Sequence, residues 1–339
     1  MQDGDAAATQ AVVRALADPA TWGREGEGGV AVRETHMSWV FLTARHAYKL
    51  KKPVRFPFLD LSTRELRERH CRRELELNRR LAEPVYLDVL PVIRRDGRIT
   101  VGGDGRILDW LVRMRRLDET RMLDAVLAHG RPGLAEIEPV AGLLARFLAG
   151  APPVRRSLED HLGLMVRELA LDLAAFARAE VPLPESLVER VTGRLMRALE
   201  PGRERFAGRL AAGRVKDAHG DLRPEHVHLG DPPAIIDCLE FSDELRIRDA
   251  ADELAFLALE CERLGAAAIG ELFVAVYEAI ADDRPGPWLY AFYKGFRAAQ
   301  RARLAVWHMA EPGRRPVAHW LARAHRYLEL ADRYTAMLG

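Results

Sequence analysis

The stretch His219-Gly220-Asp221-Leu222-Arg223-Pro224-Glu225-His226-Val227-His228-Leu229, followed by Ala234-Ile235-Ile236-Asp237-Cys238-Leu239-Glu240-Phe241, decides how the chain is read. Its first part sets a glycine and a proline among ionisable side chains, which marks a loop. Its second part is an apolar run with an acid inside it. Strand alternation puts Ile235, Asp237, Leu239 and Phe241 on one face. A carboxylate among apolar neighbours is costly to bury unless it is paired or holds a cation. The loop acid Asp221 and the strand acid Asp237 stand sixteen residues apart. Phosphoryl transfer to a hydroxyl needs a loop acid that accepts the hydroxyl proton and a second acid that holds the magnesium bridging the nucleotide phosphates. Two other readings stay open on the same residues. One is a polar loop whose His and Asp cap neighbouring helices. The other is a transition-metal hydrolase site built from His219, Asp221, His226 and His228.

The flanking sequence divides into two textures. Residues 7–18 read as a short helix. From Gly28 to Pro53, Val30, Val32 and Trp39-Val40-Phe41-Leu42 are followed by a polar break at Thr43–His46 and then Ala47-Tyr48-Lys49-Leu50-Lys51, the pattern of a β-hairpin. Ser62 with Glu65 three residues on forms a capping box, which opens a helix to about Ala82. Short strands are expected at Val85–Ile93, Arg98–Val101 and Ile107–Leu117. After Asp118 apolar residues recur at helical spacing over Ala135–Ala149, Leu158–Ala179 and Pro184–Leu199, and again from Asp249 to the end, with breaks at Asp282–Pro287 and Glu311–Pro316.

Composition narrows the class. The chain has 339 residues, with 51 Lys and Arg against 50 Asp and Glu, so its near-zero net charge gives no reason to expect a nucleic-acid partner. No apolar run approaches the ~18 residues that span a membrane, and the first thirty residues lack the apolar core of a signal peptide. Cys71, Cys238 and Cys261 are odd in number and widely spaced, which fits a reducing cytoplasm.

The run from His219 resembles the HGDxxxxN loop and following IDxxx strand of the aminoglycoside phosphotransferases and related small-molecule kinases. The resemblance covers roughly residues 28–310 and implies an α+β, two-lobed, protein-kinase-like fold. In it, residues 1–117 form a small antiparallel β lobe with one helix that binds nucleotide. Residues 118–339 form a larger helical lobe carrying the catalytic loop 219–228 and the metal strand 234–241. It implies ATP with Mg2+ (Mn2+ where an imidazole joins the ion), a small-molecule hydroxyl as acceptor, Asp221 as base and Asp237 as metal ligand. His226 stands where the family usually carries a metal-binding Asn, so it becomes a candidate second ligand.

Kinase-like enzymes also carry a strand lysine paired with a helix glutamate. Ala47-Tyr48-Lys49 fits that strand, with Lys51 as the alternative two residues on. Among the glutamates of the following helix, Glu74 shares the apolar stripe of Leu66, Leu77 and Leu81, whereas Glu65 and Glu76 point elsewhere. Val30–Trp39 becomes a phosphate-covering hairpin with Thr35, His36 and Ser38 as candidate donors, though it has no GxGxxG. Leu111–Leu117 becomes the linker, with backbone near Met114 offered to adenine. Arg248–Ala255 resembles the family's GDPxxDLA segment, in which Asp249 is expected to hold the catalytic loop and to pair, with its neighbours, with Arg297 and Arg301. The motifs ETHxSWVFL and AYKLKKPVRFPFLD are similar to those of an uncharacterised bacterial subgroup that often carries an added P-loop ATPase domain. No GxxxxGK[ST] occurs here, so a separate ATPase is a candidate partner, and a nucleotide-binding pseudokinase that signals to a partner is the alternative function.

Overall fold

The computed structural model describes residues 3–56, 59–130, 132–179, 183–310 and 316–339. In chain order the elements are α1 (Asp3–Ala17), β1 (Ala31–Glu34), β2 (Ser38–Leu42), β3 (His46–Lys51), β4 (Arg55–Phe56), β5 (Leu59–Asp60) and α2 (Arg64–Ala82). Then come β6 (Tyr86–Arg95), β7 (Arg98–Val101), β8 (Arg106–Arg115), α3 (Leu123–His129), α4 (Leu134–Gly150), α5 (Leu158–Ala177), α6 (Glu185–Leu199) and α7 (Arg203–Ala211). The remainder is β9 (Val215–Asp217), β10 (Val227–His228), β11 (Ala234–Ile235), α8 (Asp243–Arg246), β12 (Ile247–Asp249), α9 (Ala250–Arg263), α10 (Ala267–Ala281), α11 (Pro287–Ala310) and α12 (Val317–Thr335). The break expected at Glu311–Pro316 lies outside the described residues as far as Arg315. None of the described helices is long and apolar enough to cross a membrane.

The chain separates into two compact units. One runs to Leu144 and takes in Glu225–Leu245; the other holds Ala145–Pro224 and Arg246–Gly339. The first is built on a six-stranded antiparallel sheet in the order β1-β2-β3-β8-β6-β7. Alternation along β3 sets the logic of this unit. Tyr48 and Leu50 join Phe41, Val92 and Leu111 in an apolar cluster covered by Val12 and Leu16 of α1. Lys49 and Lys51 therefore face the opposite side, where Cys71 and Ala82 of α2 pack against Val112 and Tyr86. α2 begins one residue later than the capping box suggested. Thr63 is its N-cap and accepts from the Leu66 N–H, while Ser62 bonds to Asp60.

The strand expected over Ala234–Phe241 is shorter. It closes at Ile235 after pairing with β10. Asp237 has φ of 62°, in the left-handed region that a short polar side chain tolerates best, so the alternation ends there.

The second unit is helical around a large apolar cluster. Leu162, Leu169, Val191, Leu195, Phe206, Phe292, Phe296, Tyr327 and Leu328 meet there, drawn from α5, α6, α7, α11 and α12. Its buried charges come in sets. Arg209 donates to both oxygens of Asp249 and is also paired with Asp283, and Tyr293 and Tyr277 donate to the same two carboxylates. Removing one partner of a buried ion pair leaves an uncompensated charge. Arg209→Met should therefore destabilise the protein by about 3–5 kcal/mol in urea unfolding. A loss below about 1 kcal/mol would show that the cluster does not hold this unit together.

Candidate active site

The first unit gathers the charged residues singled out on β3 and α2. Lys49 Nζ lies 2.8 Å from Glu74 Oε1 and 2.9 Å from Asp237 Oδ1. Lys51 Nζ lies 2.6 Å from the other oxygen of Glu74 and 2.5 Å from Glu240 Oε1. Glu74 is fully buried, while Glu65 and Glu76 are exposed. Burial alone would push the Glu74 carboxyl up, but the two ammoniums outweigh it and hold the carboxyl below its ordinary value. Burial likewise opposes the Lys49 charge, and Asp237, Glu74 and Glu240 together raise that lysine well above its usual range.

Two residues not singled out in the sequence fix the backbone around Asp237. The Tyr86 hydroxyl accepts from the Asp237 N–H at 3.2 Å. Asn78 Oδ1 accepts from the next N–H, that of Cys238, at 2.9 Å. The other end of the Asn78 amide donates to the Glu74 carbonyl one turn earlier. A sequence signal for Asn78 exists, since it is a polar residue four positions after Glu74 on the buried side of α2. Tyr86 carries no comparable signal.

His226 reaches the same place. Its Nε2 lies 3.6 Å from Asp237 Oδ2, and its carbonyl accepts from the Ile236 N–H. The Asp237 side chain is 48 % exposed. The Asp237 carboxylate suits a magnesium-type ion, which keeps several waters and takes phosphate oxygens for the rest, whereas the His226 imidazole suits a softer divalent ion such as manganese. His228 does not join them. Its Nδ1 accepts from the Gly230 N–H instead. Among the described residues no group of three or more His, Cys, Asp or Glu is placed to hold a metal, so the hydrolase reading finds no ligand set.

The remaining expected residues of this unit divide. β1 and β2 form the hairpin over 31–42, and the Thr35 hydroxyl closes its turn by bonding the backbone of Ser38. Ser38 is buried, and His36 stacks on Phe56. Met114 sits in β8 between Ala47 and Tyr86, so its peptide groups face ladder partners on both sides. Just after it, the Arg115 N–H bonds the Val85 carbonyl and the Arg116 N–H bonds the Arg45 carbonyl.

The second unit carries Asp221. Gly220 has φ of 88°, a conformation that suits glycine, and it turns the chain just before the acid. Arg223 donates to Asp221 Oδ2 at 2.8–3.0 Å. The Gly220 N–H is held by Glu253 Oε1 at 3.0 Å. Asp249, expected to hold this loop, is instead bound by Arg209 and Tyr293 and caps α9 through the Ala251 N–H. Arg297 pairs with Asp252 and lies 3.7 Å from Glu253. Arg301, expected to pair in the same place, instead lies 3.8 Å from Glu260, seven residues further along α9.

No family model matches the chain. An uncharacterized protein of Mycobacterium tuberculosis is 35 % identical over 278 residues, which are 81 % of this chain and 54 % of that protein. The chain thus spans about half the length of the curated relatives it matches. A choline/ethanolamine kinase family protein from Mesorhizobium loti superposes with a TM-score of 0.55 at 15 % identity, covering 97 % of this chain and 98 % of its own. A glucosamine kinase solved with glucosamine, ADP and inorganic phosphate gives a TM-score of 0.52 at 15 % identity, covering 97 % and 87 %. The fold is the protein-kinase-like fold of these small-molecule kinases. It is α+β, with an antiparallel sheet and helix in one unit and a mainly helical second unit.

Within this kinase-like fold Glu253 is fully buried, and burial pushes its carboxyl up to about 7. A carboxyl raised in the folded state favours folding in its neutral form. Its ionisation therefore costs stability as pH climbs from its ordinary 4.5 to about 7. Glu253→Gln keeps an acceptor for Gly220 and cannot ionise. Its stability relative to the parent should rise across that window and level off above it, as read by urea unfolding at a series of pH values. A difference that stays flat from pH 4.5 to 7 would remove Glu253 as a titrating group.

Proposed function

We propose that the protein transfers the γ-phosphoryl group of ATP to a hydroxyl of a small molecule. The observation that carries this is the Lys49 ammonium bonded at once to the buried Glu74 and to Asp237. That arrangement puts a fixed cation and a half-exposed carboxylate side by side, which suits a nucleotide phosphate with its divalent ion. In this proposal Lys49 contacts the phosphates and Glu74 orients it. Asp237 binds the ion with His226 as second ligand, and backbone beyond Met114 meets the adenine. When bound, the ion neutralises charge on the phosphate oxygens. Asp221 takes the proton of the acceptor hydroxyl, with Arg223 restricting its carboxylate to one orientation. The acceptor class is drawn from the fold neighbours, whose names carry choline, ethanolamine and glucosamine. Cys71, Cys238 and Cys261 are buried thiols that form no disulfide, which supports a reducing compartment such as the cytoplasm.

Calorimetry with ATP, with and without magnesium, tests the roles. Asp221→Asn should bind magnesium–ATP within about twofold of the parent while transfer falls by ~10²–10⁴, the usual contribution of a general base. Asp237→Asn should lose the magnesium-dependent part of binding. Equal loss of nucleotide affinity in both variants would contradict the assignment.

His226 supports a second reading, because an imidazole replaces the family's oxygen ligand and points to a nucleotide-binding protein that signals without fast turnover. The two separate on metal preference. As a ligand, His226 should let manganese support activity at least as well as magnesium, and His226→Asn should shift the preference toward magnesium. A metal preference unmoved in both His226→Asn and His226→Ala would favour the signalling protein.

A further inference from the structure

Lys51 is 2 % exposed and shares Glu74 with Lys49, yet the proposed chemistry gives it no task. The two oxygens of Glu74 go to two different lysines, Oε1 to Lys49 and Oε2 to Lys51. Lys51 continues to Glu240, whose side chain is 12 % exposed. The result is one alternating row, Asp237–Lys49–Glu74–Lys51–Glu240, of three carboxylates and two ammoniums. Both ends of the row lie on one short segment, since Glu240 follows Asp237 by three residues, and Tyr86 and Asn78 hold that segment's backbone.

Nucleotide binding makes a demand on this row. Lys49 and Asp237 are bonded to each other, and each has to turn outward, one to phosphate and one to the ion. Were Lys49 the sole cation on Glu74, its departure would leave a fully buried carboxylate uncompensated, a costly state. Lys51 has no such second task and stays. Glu240 in turn divides the charge of Lys51. Without it, Lys51 would be committed wholly to Glu74, Glu74 would hold Lys49 less, and Lys49 would grip Asp237 more tightly against an incoming ion. Without Lys51 the pull reverses, and Glu74 draws Lys49 away from phosphate.

Resting on the function proposed above, we propose that Lys51 and Glu240 are positioning residues that keep Glu74 in place during nucleotide binding and set how the Lys49 charge is divided between phosphate and Asp237. The two substitutions then act on different steps. Calorimetry of ATP binding without metal, followed by magnesium titration of the ATP complex, reads them separately. Glu240→Gln should raise the magnesium concentration needed for half-saturation about tenfold and leave metal-free ATP affinity within about twofold. Lys51→Met should weaken metal-free ATP binding about tenfold. A merely structural role would lower both affinities in parallel with the thermal midpoint in each variant, and that result overturns the proposal. So does a Glu240→Gln protein that titrates like the parent. If Lys51→Met does not fold, Glu240→Gln decides alone, because Lys51 keeps its bond to Glu74 in that variant. A parent protein that binds no ATP in either condition overturns the proposed function and this inference together. A parent that binds normally, with variants that match it, overturns this inference only.

Discussion

Glu74 is a carboxylate with no access to water, and the first unit is arranged around keeping it charged. An isolated ion in that position would neutralise or unfold its surroundings. The answer lies in β3, where period-two alternation sends Lys49 and Lys51 to the same side of the sheet and leaves Tyr48 and Leu50 to the apolar side. α2 must then present Glu74 at the height of both lysines. Its apolar stripe of Cys71, Leu77 and Leu81 fixes that rotation. Asn78, one turn on, ties the segment after Asp237 to the same helix. Strand, helix and loop are thus registered by one buried charge.

The second unit repeats the device with the signs exchanged. There the buried cations are guanidiniums, Arg209 and Arg297, each holding carboxylates of α9 or its cap. Arginine suits this because its planar fork can serve both oxygens of an acid at once. Glu253, next to Asp252, completes the link to the loop by taking the Gly220 N–H. The acid at Asp221 is consequently carried on a loop whose anchor is itself anchored.

Much of this was legible in the chain because period and position carry it. The hairpin over 38–51, the helix starting near Ser62 and the helical texture after Asp118 follow from alternation, caps and apolar spacing. What was not legible depends on backbone torsion or on long-range partners. Nothing in Ala234–Phe241 announces that Asp237 takes a left-handed φ, so a continuous strand was the natural expectation. Asp249 and Glu253 are four residues apart and both acidic, and only the tertiary partners Arg209 and Gly220 tell them apart. Arg301 passes its expected partners because Glu260, about two turns further along α9, lies within its reach. Lys51 looked like an alternative to Lys49, and the fold gives both lysines a place on one glutamate.

One edge of the sheet has a consequence for company rather than chemistry. Among the described residues β1 pairs with β2 alone and stands at the end of the sheet with its four residues exposed, so its outer row of peptide groups forms an edge. Such edges invite strand addition between molecules. This one carries Arg33 and Glu34 side by side, and both are already engaged, Arg33 with Glu119 and Glu34 with Lys52. A second chain docking there would have to break or desolvate two ion pairs before gaining its first backbone bond. Charged side chains of this kind are among the devices by which an exposed edge resists pairing with another chain.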